Sequence, residues 1–106
     1  MRRAARTDDN HAAVMRCLRK AGAEVTDLSK VGQGCPDLLV SHAGKWYLVE
    51  VKDGQKAPSQ RKLTPAQHEW HKKQMAHVCV VENEHDALKA LGLIPIDWRE
   101  VLGDRR

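Results

Sequence analysis

The segment from residue 37 to residue 52 constrains the fold of this 106-residue chain more than any other part of the sequence. Two apolar runs, Asp37–Ser41 and Trp46–Lys52, are separated by the short segment His42–Lys45, which contains a glycine. This pattern predicts two strands joined by a hairpin turn. Because one face of such a hairpin is apolar, further strands and helices must cover it.

The patterns on either side of the hairpin supply these elements. A helix and a strand are predicted before it, and a polar loop, a helix, a strand and a final helix after it. A helix between the third and fourth strands permits a parallel crossover connection. The expected fold is therefore α/β, with a mixed central sheet flanked by helices. The predicted bounds are a helix from Thr7 or Asp8 to about Lys20, strands Ala23–Leu28 and His77–Val81, a mobile loop Asp53–Leu63, and helices from Thr64 to about Met75 and from Asn83 through Leu91.

The length of the chain predicts a single domain, residues 1–106, with its core at about residues 7–91. The remaining stretch, residues 92–106, is expected to pack on this core or to form a dimer interface. Within that stretch, Asp97 is a predicted cap of one last short helix.

The formal net charge is +4, and such an excess favours polyanionic partners. No apolar run approaches the roughly 20 residues that cross a bilayer, and the basic N-terminus lacks the apolar segment of a secretory signal, so we expect a cytoplasmic protein. Three widely spaced cysteines indicate neither a disulfide framework nor a thiolate zinc site. The basic residues form three clusters, which are Arg2, Arg3 and Arg6, then Lys56, Arg61 and Lys62, and finally Lys72 and Lys73.

Polar residues at one end of the hairpin carry the predicted chemistry. Glu50 and Lys52 share one face of their strand, and Asp37 begins the neighbouring strand. Burying these groups unpaired is costly, so they need partners. A hard divalent cation such as Mg²⁺ suits Asp37 and Glu50, with the backbone carbonyl of Val51 as a third oxygen ligand. In the alternative interpretation, Glu50 and Lys52 lie on the solvated face of a strand, and Asp37 caps a turn.

Three segments resemble one nuclease family: GCPDLLV at 34–40, YLVEVKDG at 47–54 and LTPAQHEW at 63–70. The sequence is similar to the PD-(D/E)xK nuclease superfamily and, within it, to the stand-alone phage and bacterial members of the virus-type replication-repair nuclease (VRR-NUC) family. With the first helix included, the resemblance covers residues 7–91.

This resemblance implies a restriction-endonuclease-like αβββαβ core with Mg²⁺ or Mn²⁺ bound at Asp37, Glu50 and the carbonyl of Val51. It implies that Lys52 is the catalytic lysine and that Gln67 is a supporting active-site residue. Relatives of this type suggest a homodimer that acts on branched DNA, such as four-way junctions.

Some of these residues have two interpretations. Gln67 lies three residues after Thr64 and completes a capping box by itself, so it is either a helix cap or an active-site residue. Asn10 lies where related nucleases often carry an acidic residue on the first helix, and as an amide it could orient a metal-bound water. Asp9 sits one position around the same helix.

The basic and histidine side chains that follow the hairpin also have more than one possible role. Lys56, Arg61 and Lys62 are either phosphate contacts for DNA or parts of a solvated linker. His68 and His71 are three residues apart rather than four, which does not fit a zinc-protease helix. We therefore expect them on a helix face that is solvated or close to DNA.

Three functions remain at this stage. The first is a metal-dependent DNA endonuclease that selects DNA by structure, in which Lys52 orients the attacking water or stabilises the transition state. The alternative is a non-catalytic nucleic-acid-binding module that retains a nuclease fold. The third is a small interaction subunit that uses the apolar stretch around Trp98.

Overall fold

A computed structural model describes residues 7–74 and 77–94 of the chain. Within these ranges the elements follow the order α-β-β-β-α-β-α, which confirms the predicted α/β class. A short 3₁₀ turn, Pro58–Gln60, interrupts the connection after the third strand. The elements are α1 (His11–Lys20), β1 (Glu24–Asp27), β2 (Leu38–His42), β3 (Lys45–Val51), α2 (Pro65–Gln74), β4 (Val78–Val81) and α3 (Glu84–Ala90).

The four strands form one mixed sheet in the order β1-β2-β3-β4. The pairs β1–β2 and β2–β3 are antiparallel, whereas β3 and β4 are parallel and are connected through α2, as the sequence predicts. Ala43 and Gly44, in the turn between β2 and β3, have φ angles of 50° and 80°. Positive φ at both central residues is typical of a type I′ turn, whose twist matches that of the two strands.

One face of the sheet carries the apolar core. Helix α1 is buried there through Val14 and Leu18, which are four residues apart and therefore share one face of the helix. Helix α3 packs beside α1 and against β4. The buried core is completed by Ala23, Val25, Leu38, Val40, Val49, Val51, Val81, Ala87 and Leu91.

The first helix begins later than the sequence predicts, at His11 rather than at Thr7 or Asp8. Residues 8–10 form a turn instead, because the side-chain amide of Asn10 donates hydrogen bonds to the carbonyls of Lys52 and Glu82, at 3.1 and 3.0 Å. These contacts fix the chain before α1 to the ends of β3 and β4.

The final stretch of the chain is only partly described. Leu93 packs against the core, but the predicted helix cap Asp97 and residues 95–106 lie outside the described ranges. Among the described residues, no helix has the length and apolar character needed to cross a membrane.

Candidate active site

Glu50 and Lys52 are buried at the end of β3, with relative exposures of 1% and 6%. Their neighbours Val49 and Val51 belong to the apolar core, so the strand alternation directs the two polar side chains to the opposite face of the sheet. The interpretation that they are ordinary polar residues on a solvated face is wrong, because both are withdrawn from solvent.

Asp37 lies beside this pair, immediately before β2. The pairing of Leu38 with Val49 across the hairpin brings the start of β2 next to the end of β3. One carboxylate oxygen of Asp37, Oδ2, accepts a hydrogen bond from the backbone N–H of Val51 at 2.8 Å. The backbone N–H of Val51 therefore holds the Asp37 carboxylate at the end of β3, and the use of the Val51 carbonyl as a ligand stays a prediction.

Gln67 links the two buried groups to helix α2. Lys52 Nζ donates to Gln67 Oε1 at 2.7 Å, and Gln67 Nε2 donates to Glu50 Oε2 at 3.1 Å. Gln67 also makes the predicted capping box: the N–H of Thr64 donates to Gln67 Oε1, and the N–H of Gln67 donates to Thr64 Oγ1. Gln67 is therefore a helix cap whose amide also contacts Lys52 and Glu50, and its role as an active-site residue stays a prediction.

Gly34 explains how α2 comes so close to the hairpin. A Cβ atom at this position would lie 2.1 Å from the carbonyl oxygen of Ala66 and 2.9 Å from the nitrogen of Gln67. Gly34 also has a φ of +85°, a conformation that glycine adopts without strain. The absence of a side chain at position 34 thus permits the contact that places Gln67.

His71, one turn after Gln67, does not lie on a solvated helix face, which was one of the two positions that the sequence predicted for it. Its side chain is 16% exposed, and its Nε2 lies 3.8 Å from Glu50 Oε1. Burial, followed by the proximity of His68 and Lys52, lowers the pKa of His71. The imidazole is therefore neutral at neutral pH.

Glu50 is an unusual carboxyl group. Its burial, followed by the proximity and charge of Asp37 and by the charge of Asp8, raises its pKa to about 9, although Lys52 acts in the opposite direction. At neutral pH and without a cation, this carboxyl holds a proton. A positive charge placed beside Glu50 and Asp37 would favour the ionised carboxyl and so oppose both the burial and the repulsion that raise this pKa.

An open cavity of about 800 Å³ is lined by Asp37, Glu50, Lys52 and Gln67. Asp8 also lines the cavity, and sequence reasoning overlooked it, although the acidic pair before the first helix was the available signal. Asp9, which the sequence places beside Asn10 at the first helix, lines the cavity too. Asn10 does not line it, and both N–H groups of its amide bind backbone carbonyls, so its role in the structure is to join the ends of two strands.

The basic residues of the loop differ in their surroundings. Lys56 Nζ lies 3.2 Å from Asp8 Oδ1, and Arg61 Nη1 lies 3.1 Å from Glu82 Oε1. The loop predicted to be mobile is thus attached at two points. Lys62 is exposed at the rim of the cavity.

The donor atoms fit a hydrated divalent cation with few protein ligands. Within residues 7–74 and 77–94, no three side chains of His, Cys, Asp or Glu form a ready set of metal ligands. Mg²⁺, however, is usually held by one or two carboxylates and keeps several waters. Asp37 and Glu50 would supply these carboxylates, and the buried Oε1 of Glu50 has no hydrogen-bond partner within the described part of the chain.

A comparison with solved structures finds a domain similar to this chain. A solved structure described as a VRR_NUC domain superposes with a TM-score of 0.55 and 29% sequence identity, over 80% of this chain and 97% of that chain. No family model matches the sequence, and a search of curated proteins finds no match. The resemblance inferred from the sequence motifs is confirmed, and the mixed sheet with its flanking helices is consistent with a nuclease-type fold.

Proposed function

Because the chain resembles VRR-NUC domains both in its motifs and in its fold, we propose that it is a divalent-metal-dependent endonuclease that hydrolyses phosphodiester bonds in DNA. The observation that carries this proposal is the burial of Glu50 and Lys52 beside Asp37 on an otherwise apolar sheet. Apolar residues there would avoid the cost of burying charged groups. Such an arrangement in a cavity is typical of a functional site.

The proposed cation is Mg²⁺ or Mn²⁺, held by the carboxylates of Asp37 and Glu50 and by the carbonyl of Val51. When bound, such an ion acts as a Lewis acid and lowers the pKa of a water that attacks phosphorus. The oxygen of this water would form the new P–O bond and release one proton to solvent, while the bond to one ester oxygen would break and that oxygen would take up a proton from solvent. The carboxylates hold the reacting centre close to the sheet.

Lys52 is the proposed electrostatic catalyst. Its Nζ is fixed by Gln67 Oε1 at 2.7 Å, which leaves further N–H groups of the ammonium to point into the cavity. A preorganised positive charge stabilises the negative charge that develops on the phosphoryl oxygens. Gln67 therefore positions both Lys52 and Glu50 in this mechanism.

The rim of the cavity is suited to a DNA backbone. Lys62 is exposed there, Lys56 is half-exposed, and Ser59, Gln60 and Thr64 offer further polar groups. Such contacts bind phosphates and do not recognise individual bases, so the protein would select its DNA by shape rather than by sequence. We propose branched DNA, including four-way junctions, as the substrate, cut by a homodimer whose two sites are related by a two-fold axis.

The test is incubation with end-labelled four-way junction, flap, duplex and single-stranded DNA in Mn²⁺, in Mg²⁺ and in EDTA. We expect metal-dependent incision that the separate variants Asp37→Ala, Glu50→Ala and Lys52→Ala abolish while remaining folded. Removal of one preorganised group is expected to lower the cleavage rate by on the order of 10²–10³. Salt-dependent DNA binding without incision under any divalent cation would instead identify a non-catalytic binding module.

The assembly is tested separately by sedimentation equilibrium. The proposal predicts a mass of two chains and paired incisions at symmetric positions of a junction. A single-chain mass together with one nick per junction would contradict the dimer and leave the endonuclease itself intact.

A further inference from the structure

Two buried polar atoms face each other next to the proposed metal ligands. Nε2 of His71 and Oε1 of Glu50 are 3.8 Å apart, and neither has a hydrogen-bond partner within the described part of the chain. A buried polar atom without a partner costs free energy. The proposed reaction assigns no role to His71, so this pair has no explanation there.

The geometry of α2 relates His71 to Gln67. The two residues are four apart and therefore lie on the same face of the helix. Gln67 donates to one oxygen of the Glu50 carboxylate, Oε2, and His71 is directed at the other, Oε1. One helix face thus approaches both oxygens of a single buried carboxylate.

We propose that His71 is a positioning residue for Glu50: it donates a hydrogen bond from Nε2 to Oε1 and so fixes the orientation in which Glu50 binds the divalent cation. This inference rests on the proposed function, because it assumes a cation at Glu50. The present distance is too long for a hydrogen bond, so the proposal requires a side-chain movement that shortens it by less than about 1 Å. Contacts of this kind are often long in the free protein and tighten in the complex.

The consequence is a defined contribution to metal affinity. Residues that hydrogen-bond to a metal-binding carboxylate orient it, and their loss typically weakens metal affinity or activity by about 10–100-fold. A carboxylate held at both oxygens loses less rotational freedom when it binds a cation. His71 should therefore affect the binding of the cation even when no DNA is present.

The experiment is a titration of the full-length protein with Mn²⁺ alone, followed by electron paramagnetic resonance of the free ion. We expect His71→Ala to weaken Mn²⁺ binding by about 10-fold or more. His71→Gln places an amide N–H close to the position of Nε2 and should restore affinity close to that of the wild type. His68→Ala is the matched control, because His68 is an exposed histidine on the same helix and should leave affinity unchanged.

Each outcome decides the proposal. Unchanged Mn²⁺ affinity in folded His71→Ala overturns it, and so does a loss in His71→Gln as large as that in His71→Ala. Circular dichroism of each variant verifies folding, and if His71→Ala does not fold, His71→Gln is compared with His71→Leu. If the wild type cuts no DNA but His71→Ala binds Mn²⁺ more weakly, the role of His71 is supported and the nuclease is contradicted. If the wild type cuts DNA but His71→Ala binds Mn²⁺ with unchanged affinity, the nuclease is supported and the role of His71 is contradicted.

Discussion

Helices α1 and α2 have the same length, ten residues each, but they are attached to the sheet by different kinds of contact. Helix α1 buries Val14 and Leu18 in the apolar core. Helix α2 has no buried residue and reaches the sheet through Gln67 and His71, which contact polar groups at the end of β3. Most residues of α2 are exposed to solvent, so its sequence is polar apart from the few positions that face the sheet.

This difference separates stability from chemistry within a small domain. The contribution of α1 comes from the burial of apolar area, which is not directional. The contribution of α2 depends on the angles and lengths of a few hydrogen bonds, which fix atoms in place. Changes in α1 should therefore alter stability, whereas changes in α2 should alter activity, and substitutions in both helices test this distinction.

The largest effect is expected from Leu18→Ala in α1. Deleting a fully buried leucine side chain leaves a cavity and should lower the free energy of unfolding by about 2–5 kcal/mol. Denaturant unfolding measures this loss, and Arg16→Ala at an exposed position of the same helix should change stability by less than about 0.5 kcal/mol. Cleavage per folded molecule should not change, and a drop there would show that α1 also shapes the site.

Gly34→Ala should affect both properties, since Gly34 lies where α2 meets the hairpin. The new Cβ collides with the backbone of Ala66, and overpacking of this kind costs about 1–3 kcal/mol. Displacing α2 also moves Gln67, so cleavage should fall as well.

Gly32→Ala is the control for this variant. Gly32 has a similar positive φ, +76°, but a Cβ there meets no atom within 4 Å. Gly32→Ala should therefore lose only the stability that backbone strain costs, and its cleavage rate should not change. Equal losses of cleavage in both variants would mean that strain, not the position of α2, matters.

Gln67→Ala separates the two roles of one side chain. It removes the contacts to Lys52 and Glu50 and should reduce cleavage by about 10–100-fold. Thr64→Ala removes the hydroxyl of the same capping box, at a cost of about 1 kcal/mol, but leaves the Gln67 amide in the site. If initial rates at saturating Mn²⁺ fall equally in both, the effect of Gln67 is that of a cap only.

The smallest effect is a dependence of stability on pH in EDTA. The pKa of Glu50 is raised by burial, so between about pH 4.5 and 9 the folded chain retains a proton that the unfolded chain releases. The free energy of unfolding should therefore fall as pH rises, by at most about 1.4 kcal/mol per pH unit. Melting temperatures between pH 7 and 8.5 measure this slope, which Glu50→Gln should flatten. A rise in stability with pH that depends on Glu50 would contradict the raised pKa.

The sequence by itself determined the local features of this protein. The type I′ hairpin, the burial of Val49 and Val51 on the face opposite to Glu50, and the capping box at Thr64 each depend on residues close together in the chain. Hydrophobic residues recur every 2 positions in a strand and about every 3.6 positions in a helix, and turns favour particular residue types. Local features of this kind can therefore be predicted from the sequence. The motifs also carried the resemblance to a nuclease family, which the structural comparison confirmed.

The tertiary structure alone decided which polar side chains meet. Three contacts join residues that lie between 21 and 48 positions apart in the chain. They are the approach of His71 to Glu50, the pairing of Lys56 with Asp8 and the close packing of Gly34 against Ala66. No periodicity in the sequence encodes such contacts, because they depend on how one element is placed on another. For this reason the carboxylates and the lysine could be predicted, whereas the approach of His71 to Glu50 and the packing of Gly34 against α2 could not.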